Sequence, residues 1–380
     1  MLIVLGILVK LGLDYFEAGD ANFFALLEIL GIVGLIMIVL EAALELKLDR
    51  EKLVPITKAL LIALAGLLLS TWLTALILEK FLDMETLTAW IYATPLSILS
   101  SAIIIPSVLD LREDKKEFHI YESTFSDILG IMLFYFLTAQ IGEESGGGIG
   151  QFGLSTLLTI VLSFIFSYLI VFVFQNIKSS VKLFLLIAVL LLLYALGKKM
   201  HLSSLIIILV FGLVIANMDL FFWGPLKKFI NFQKAHDIYH GLHVITMETA
   251  FVVRTFFFVI FGITITFSAL ADINVLWISV ILLAIIYVVR FILLRASLGN
   301  DIIPQLYIAP RGLITILLFY AIPKEVMVEN FSQGILLYII LGTSIIMTAS
   351  MIYNKRRTAK MINKFKSTPV SNVKWKAPGL

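Results

Sequence analysis

The chain has 380 residues, of which 60% are hydrophobic and only 14% are charged, and its mean hydropathy is strongly positive. A water-soluble globular protein does not need this composition, so it predicts an integral membrane protein. Because there is no cysteine, disulfides, thiolate metal sites and thiol catalysis are excluded. The net charge of +3 is unremarkable, but the placement of the basic residues is informative.

Twelve apolar segments follow one another along the chain. A helix needs about 20 apolar residues to span the hydrocarbon core, and the alternation typical of barrel strands is absent. The sequence therefore predicts an all-α polytopic membrane protein with about 12 transmembrane helices. The segments are 1–13, 24–46, 55–80, 87–110, 118–141, 152–174, 181–197, 202–221, 240–267, 274–294, 302–322 and 331–353.

The first apolar segment is short. Its residues give only about 20 Å of helix against a hydrocarbon core of about 30 Å. It also lacks the basic start and the small-residue cleavage site of a signal peptide. We therefore expect it to belong to a span, with one further helix upstream.

Basic residues concentrate in alternate loops, which marks the cytoplasmic side of a membrane protein. The tail after residue 353 is also basic and has no acidic residue, so both termini are expected in the cytoplasm of a cell with the chain in its inner membrane. The tail fits either an orientation anchor on a disordered end or a surface for anionic lipid or a partner. The loop residues are Lys47, Arg50, Lys52, Lys58, Arg112, Lys115, Lys116, Lys178, Lys182, Lys227, Lys228, Lys234 and Arg295.

Two segments are interrupted by proline in a similar way. Segment 87–110 contains ATPLSILSSAIIIPSVLDL, and segment 302–322 contains IIPQLYIAPRGLITILLFYAIP. Proline removes an N–H and disrupts the preceding turn, so unpaired backbone groups need partners from protein or water. Either segment alone fits an ordinary kink. If segments 7–12 match segments 1–5 with a missing first helix, both interruptions fall in the fifth helix, which predicts inverted repeats whose broken helices cross at the midplane.

Glu122 and Asp127 lie in HIYESTFSDILGIMLF, inside the segment after the first broken helix. Acidic side chains at mid-membrane cost about 2.5–3.5 kcal/mol each on insertion scales and mark ion or proton pathways. At about 100° per residue, Ser123 and Asp127 share one helix face with Ser126 beside them. This carboxylate among hydroxyls is similar to a hard-cation site.

Glu122 points about 140° away from Asp127 around the helix, so the two carboxylates are expected to have different roles. A buried carboxylate needs a cationic partner, because an unpaired charge in this setting is strongly destabilising. Arg290, in the apolar stretch YVVRFILL, is the natural candidate.

ESTFSDILGI resembles the ES-L-L-ND-A stretch of the monovalent cation:proton antiporter superfamily, which includes the sodium/proton exchanger family. Glu122, Ser123 and Asp127 fall on its acidic, serine and ion-binding aspartate positions. LEILGIVGLIMIVLEAALEL resembles the family's L-E-L-G … G-L-E-L helix, RTFFFVIFG its F-F-x-x-x-G helix and PRGLI its R-G motif. The resemblance implies a homodimer in which an ion-carrying core moves against a scaffold.

With that resemblance the chain divides into six regions. They are scaffold or dimer helices at 1–54, the first half of the core at 55–141, a linker helix at 142–180, further scaffold or dimer helices at 181–273, the second half of the core at 274–353 and a basic cytoplasmic tail at 354–380.

The resemblance also implies residue roles. Asp127 is expected to bind the monovalent cation or the proton, and Glu122 and Arg290 to form a structural ion pair. Arg311 is expected to stabilise the C-terminal ends of the half-helices, whose carbonyl dipoles favour a cation. The other residues expected at the ion site are Ser123, Ser126, Ser100 and Ser101.

Three positions depart from the family pattern. Ser126 stands where the electroneutral branch has asparagine and the electrogenic branch a second aspartate. SSAIII, from Ser100, looks more like the serine pair of the electrogenic and potassium-linked branch, and Ala43 replaces a glycine. Sodium is the first expectation for the cation, and potassium and lithium stay open.

These residues predict a secondary active antiporter that exchanges one monovalent cation for one proton at Asp127. A carboxylate that holds either a proton or a cation, but not both, gives such exchange. Alternatives are a potassium/proton antiporter, a proton-uncoupled cation channel and a transport-inactive scaffold or sensor. We expect no enzymatic activity, no cofactor and no nucleic-acid partner, because neither a nucleophile–base pair nor a phosphate loop is visible.

Other motifs favour ordinary interpretations. GIGQFG at 148–153 follows an apolar helix rather than a strand, so we interpret it as a flexible linker. His236, His240 and His243 have helical spacing that allows metal binding or pH sensing, but an interfacial cluster is the simpler interpretation. Glu248 and Arg254 lie on different faces of one helix, and the sequence names no partner for Arg254.

Overall fold

The computed structural model describes residues 2–15, 24–48, 50–141, 148–177, 182–199, 204–222, 231–264, 272–328 and 331–367. Every regular element in these ranges is a helix. Residues 142–147, the loop residues Lys178, Lys227 and Lys228, and the tail from residue 368 onward lie outside the described residues.

The helices follow the twelve apolar segments closely, since each segment coincides with at least one helix. Short 3₁₀ turns occur at Arg50–Lys52, Gln305–Tyr307 and Lys324–Val326. The α-helices are α1 Leu2–Tyr15, α2 Phe24–Glu45, α3 Leu53–Leu82, α4 Thr86–Ser97, α5 Ser101–Ser107, α6 Glu113–Thr138, α7 Gly148–Phe174, α8 Lys182–Lys199, α9 Ser204–Ala216, α10 Met218–Phe221, α11 Phe232–Thr264, α12 Ile273–Leu298, α13 Leu313–Tyr320 and α14 Gly334–Ser367.

Seven helical stretches among the described residues are long and apolar enough to cross a membrane. Two shorter apolar helices, Leu183–Gly197 and Ser204–Ala216, accompany them. The predicted class of all-α multi-pass membrane protein is therefore confirmed, and the count of about 12 spans stays a prediction. The seven stretches are Leu53–Leu82, Thr86–Ser107, Glu113–Thr138, Leu157–Phe174, Gln233–Ile263, Ile273–Leu298 and Gly334–Arg357.

The helices pack in two groups. In the first group α2 contacts α9 and α11, α1 contacts α11, and α9 contacts α7 and α8. In the second group α3 contacts α4, α6 and α12, and α12 contacts α14. The groups meet where α2 contacts α6 and α13, so α2 lies at the junction between them.

Small residues allow the close approach of helices that apolar packing in a membrane requires. A Cβ atom added at Gly212 of α9 would lie 2.6 Å from the Cβ of Ala43 on α2. Any larger side chain at Gly212 would therefore separate the two helices. The side chains of Ile36 and Leu40 on α2 are completely buried in this region.

The first proline-containing segment is interrupted between α4 and α5. Ile98 and Ser100 have extended backbone angles, with ψ of 133° and 101°. Pro95 lies in the last turn of α4 and Pro106 in the last turn of α5, where each removes a backbone donor from the helix.

The second proline-containing segment differs from the expected pair of half-helices. After a cis Ile303–Pro304 bond comes the 3₁₀ turn Gln305–Tyr307, then irregular backbone to Gly312, and only then α13. Pro304 and Pro310 explain the difference, because each disfavours α-helix in the residue before it as well as at its own position. Only the C-terminal half of this segment is therefore α-helical.

Candidate functional site

The two interrupted segments meet at their breaks. The backbone N–H of Ser100 donates a hydrogen bond to the carbonyl of Pro310, at 3.0 Å. Gly312 permits this contact, because a Cβ atom added there would lie 2.4 Å from the Ser100 hydroxyl oxygen. The unpaired backbone groups of one break are thus partly satisfied by the other.

Helix α6 lies against the first break and supplies two side-chain acceptors to its backbone. The Leu99 N–H donates to the Ser126 hydroxyl oxygen at 3.0 Å, and the Ser101 N–H donates to Asp127 Oδ2 at 3.3 Å. Gly130 lets the break come close, since a Cβ atom there would lie 2.3 Å from the side chain of Ile98. Two adjacent side chains of α6, Ser126 and Asp127, therefore accept hydrogen bonds from the extended backbone of the break.

Asp127 combines deep burial with an unused oxygen. Its side chain is 1% exposed, and within the described residues Asp127 Oδ1 has no hydrogen-bond partner. A buried carboxylate oxygen without a partner is unfavourable unless a proton or a cation binds it. Asp127 thus has one oxygen fixed by the break and one available for a ligand.

The four serines predicted at the ion site are all buried, but they bond differently. The Ser126 hydroxyl oxygen accepts a hydrogen bond from the Leu99 N–H at the break. The Ser123 hydroxyl instead donates to the carbonyl of His119 at 2.7 Å, within its own helix. Ser100 and Ser101 contribute backbone N–H groups to Pro310 and Asp127. The structure therefore brings Ser100, Ser101 and Ser126 together with Asp127 at the break.

Glu122 and Arg290 form a bidentate salt bridge between α6 and α12. Arg290 Nη1 and Nη2 donate to the two Glu122 oxygens at 2.8 and 2.9 Å, and Arg290 Nε donates to the Gln305 carbonyl at 3.0 Å. His119 Nδ1 lies 3.4 Å from Glu122 Oε2. Both partners are buried, so the pair links α6, α12 and the turn that precedes the second break.

The side chain of Arg311, in the second interrupted segment, connects that segment to the first. Its Nε donates to the Leu96 carbonyl in the last turn of α4 at 2.9 Å, and its Nη1 donates to the Ala309 carbonyl at 3.2 Å. Its backbone N–H donates to the Thr343 hydroxyl of α14 at 3.0 Å. The guanidinium therefore satisfies one carbonyl at the C-terminal end of α4, where a positive charge is favourable, and one in the irregular backbone before α13.

A small cavity of about 30 Å³ lies on the Ser126 side of α6. Glu122, Arg290, Arg311 and Ser126 are among its lining residues. This volume suffices for one or two water molecules with several polar partners. The Glu122–Arg290 pair therefore lines the same cavity as Ser97 and Leu99 at the break.

The structure also gives Arg254 a partner that the sequence did not name. Arg254 Nη2 of α11 donates to Glu41 Oε2 of α2 at 3.0 Å, and both side chains are mostly buried. Glu41 of α2 lies in the stretch LEAALEL. Because it is far from Arg254 in sequence, helical periodicity could not predict that the two residues pair. Glu248, six residues before Arg254, is exposed.

The fold and this site define a multi-pass membrane protein with a buried carboxylate beside a break in a helix. A family model described as the transmembrane sodium/hydrogen exchanger matches residues 1–352. The chain therefore belongs to the sodium/hydrogen exchanger family, whose members are transporters. The predicted family resemblance is confirmed.

Solved structures agree in fold. The sodium proton antiporter MjNhaP1 from Methanocaldococcus jannaschii at pH 8 matches with a TM-score of 0.63 and 18% identity, over 92% of this chain and 94% of that chain. An electron-microscopy structure of MjNhaP1 matches with a TM-score of 0.57 and 17% identity, over 100% of this chain and 98% of that chain. A comparison with curated protein sequences gave no match.

Proposed function

We propose that the chain is a secondary active antiporter that exchanges Na⁺ for protons at Asp127. The observation that carries this proposal is the buried Asp127 Oδ1 beside the break between α4 and α5, which has no hydrogen-bond partner among the described residues. Membership of the sodium/hydrogen exchanger family and the likeness to a sodium proton antiporter support sodium as the cation.

The chemistry is competition for one carboxylate. The Ser101 N–H fixes Oδ2, so Oδ1 faces either a proton or a cation. In a buried site the carboxylate must be neutralised by one of them, because an unpaired buried charge is costly. If the core crosses only in a neutralised state, proton movement in one direction drives cation movement in the other.

Hydroxyl and carbonyl oxygens complete the proposed cation site. Hard cations take oxygen ligands, and a serine hydroxyl that donates one hydrogen bond keeps lone pairs for a cation. Ser126, Ser100 and Ser101 take part in the contacts at the break, Ser126 through its hydroxyl and the other two through their backbone N–H groups, and Ser123 lies one turn before Asp127. The Glu122–Arg290 pair and Arg311 hold the helices rather than the ion.

The larger arrangement is proposed from the same family membership. We propose that the group built on α2, α9 and α11 is the scaffold and the group built on α3, α6 and α12 is the moving core. Two chains would form a homodimer in the inner membrane with both termini in the cytoplasm and lipid around them. The alternating basic loops support this orientation.

The proposed stoichiometry is one proton per cation, because Ser126 is neutral and Asp127 alone exchanges. No net charge then crosses, so the roughly 2.3 kcal/mol per charge that 100 mV supplies cannot drive transport. We expect a potassium diffusion potential, set with valinomycin and no pH gradient, to leave sodium uptake into liposomes unchanged. Uptake that rises with the potential would overturn the one-to-one assignment.

The central experiment compares the unmodified protein with Asp127→Asn in proteoliposomes that contain a pH dye. Sodium added against a pH gradient should dequench the dye for the unmodified protein and give no signal for Asp127→Asn. Asp83→Asn is the matched control, because the same chemical change is made at an exposed residue with φ of 50°, a conformation that asparagine accepts.

The outcomes separate the alternatives. Equal signals from Asp127→Asn and the unmodified protein would contradict exchange at Asp127. Cation flux without proton movement would favour a channel, and absence of flux from folded, unmodified protein would favour a scaffold. Repeating the assay with potassium and lithium assigns the cation.

A further inference from the structure

His236 and His240 lie one turn apart on an exposed face near the N-terminal end of α11. Their Nε2 atoms are 2.9 Å apart, and the two rings meet edge to face with centroids 4.4 Å apart. Two neutral imidazoles at this distance share one proton, because one ring nitrogen donates and the other accepts. The nitrogen edges of the two rings therefore face each other.

This arrangement is close to that of two ligands on one metal ion. Imidazole nitrogens bind Zn²⁺ at about 2.0–2.1 Å, and two such bonds at a tetrahedral angle place the nitrogens about 3.3 Å apart. A small rotation of either side chain reaches that separation. Histidines at i and i+4 on one helix face are also the spacing by which helical zinc motifs hold their metal.

The turn that carries the pair is anchored. Ala235, Ile238 and Leu242 on the opposite face are at most 2% exposed, so packing holds this stretch of α11 in place. The ring of Tyr239 lies against both histidine rings, with centroids 6.1 and 5.3 Å away. A site whose ligands are already held in place loses less entropy on binding.

The surroundings limit the kind of site. Within the described residues no group of three or more histidine, cysteine, aspartate or glutamate side chains could hold a metal, so His243 does not complete a set. Lys47 Nζ lies 5.4 Å from the Tyr239 ring centre and adds a positive charge nearby. Water must therefore fill the remaining coordination positions, and a nitrogen-preferring metal is favoured over Mg²⁺ or Ca²⁺.

We propose that His236 and His240 form a two-histidine binding site for a divalent transition metal such as Zn²⁺, with water as the other ligands. The metal takes the place of the proton that the two rings share. The site lies on α11, whereas the exchange site proposed above lies on α6 and the break, so it is independent of the exchange reaction.

The test is calorimetric titration of Zn²⁺ into the full chain in detergent, with any histidine tag removed. We expect one ion per chain, and at least about tenfold weaker binding for His236→Ala and for His240→Ala, because each leaves a single imidazole. His243→Ala is the matched control and should bind as the unmodified protein does. Mg²⁺ should give no binding signal.

Three results would overturn the proposal. They are no Zn²⁺ binding to the unmodified protein, unchanged binding in His236→Ala and His240→Ala, or an equal loss in His243→Ala. Circular dichroism of each variant checks that the helix content is unchanged, which keeps loss of a ligand distinct from loss of the fold.

Discussion

The two carboxylates of α6 differ in how many of their oxygens are occupied. Both oxygens of Glu122 accept from Arg290, whereas Asp127 has one oxygen on the Ser101 N–H and one without a partner in the described residues. A fully paired carboxylate is suited to holding helices together, and a half-paired one is suited to exchanging a ligand. The occupancy of each oxygen therefore supports a structural role for Glu122 and the proposed exchange role for Asp127.

Breaking the buried ion pair should be severe. Glu122→Gln leaves the Arg290 charge buried without its partner, at a cost of about 3–5 kcal/mol. We expect a clearly lower unfolding midpoint in detergent for Glu122→Gln, and partial recovery when Arg290→Gln is added. Glu113→Gln is the matched control on the same helix, because Glu113 is 71% exposed and a pair that is open to solvent on the carboxylate side contributes little. Equal midpoints for Glu122→Gln and Glu113→Gln would contradict this assignment.

At the residue scale, the sequence predicted an ion pair only where few charged residues lie inside the apolar segments and their positions around the helix limit the possible partners. Glu122 and Arg290 could be matched because few cations stand inside apolar segments. Glu41 and Arg254 could not be matched, because pairing across distant helices depends on packing that no local pattern records. The bonding of Ser123 to its own helix likewise depends on a rotamer rather than on spacing.

The contact between the two interrupted segments is the main feature at the scale of elements. Two hydrogen bonds, from Ser100 to Pro310 and from Arg311 to Leu96, and one close approach, at Gly312, connect the two interrupted segments. Helix α6 then follows the first break through Ser126 and Asp127. The position of the proposed ion site therefore depends on backbone geometry in three elements.

Gly312→Ala should disturb this contact between the two interrupted segments. The added Cβ would lie 2.4 Å from the Ser100 hydroxyl oxygen and 2.9 Å from the Ser100 Cβ. Overpacking of this kind costs about 1–3 kcal/mol, so we expect a lower unfolding midpoint and slower sodium-dependent proton flux. Ser100→Gly removes the two Ser100 atoms and leaves only the Ile103 side chain at 3.1 Å, so it should partly restore the unfolding midpoint. It should not restore flux, because Ser100 belongs to the proposed cation site.

Gly66→Ala is the matched control for Gly312→Ala. Its added Cβ would meet only the Leu293 side chain at 3.5 Å, which is ordinary van der Waals contact. We expect flux and midpoint close to those of the unmodified protein. If Gly312→Ala has the same flux and unfolding midpoint as Gly66→Ala, the contact between the two interrupted segments is not tightly packed.

The sequence predicted where the elements are interrupted but not how. Proline positions place a break in each segment, because proline cannot continue a helix without loss. They do not specify that the second segment begins with a 3₁₀ turn, since the backbone between Pro304 and Pro310 also depends on tertiary contacts. The extents of helices are set by packing as well as by local preference.

At the scale of the whole molecule, α2 lies at the contact between two groups of helices. Gly34 of α2 lies between Val253 of α11 and Leu317 of α13, because a Cβ built at Gly34 would lie 2.6 Å from Val253 Cγ1 and 3.9 Å from Leu317 Cδ1. If transport requires the groups to move against each other, a covalent link at this point should stop it. The two groups themselves emerge from tertiary contacts, whereas the sequence supplied only the apolar segments and their order.

The chain has no cysteine, so cross-links can be introduced without changing the background. In a Val253→Ala background, which makes room for the new Cβ, we expect Gly34→Cys with Leu317→Cys to transport when reduced. Transport should stop when the pair is oxidised or joined by a short thiol cross-linker, and it should recover with reductant. Gly66→Cys with Leu293→Cys is the matched control, because it joins α3 and α12 within one group at a similar distance, 3.5 Å. Full transport by the cross-linked Gly34 and Leu317 pair would contradict relative movement of the groups.

The contact between Ser100 and Pro310 also bears on protein engineering, because the two stretches that meet there are distant in sequence. A chimera that takes only one stretch from a relative would bring together two surfaces that were selected with different neighbours. A chimera that takes both stretches keeps their mutual fit. Attempts to alter the transported ion by grafting should therefore treat 95–106 and 304–315 as one exchangeable unit.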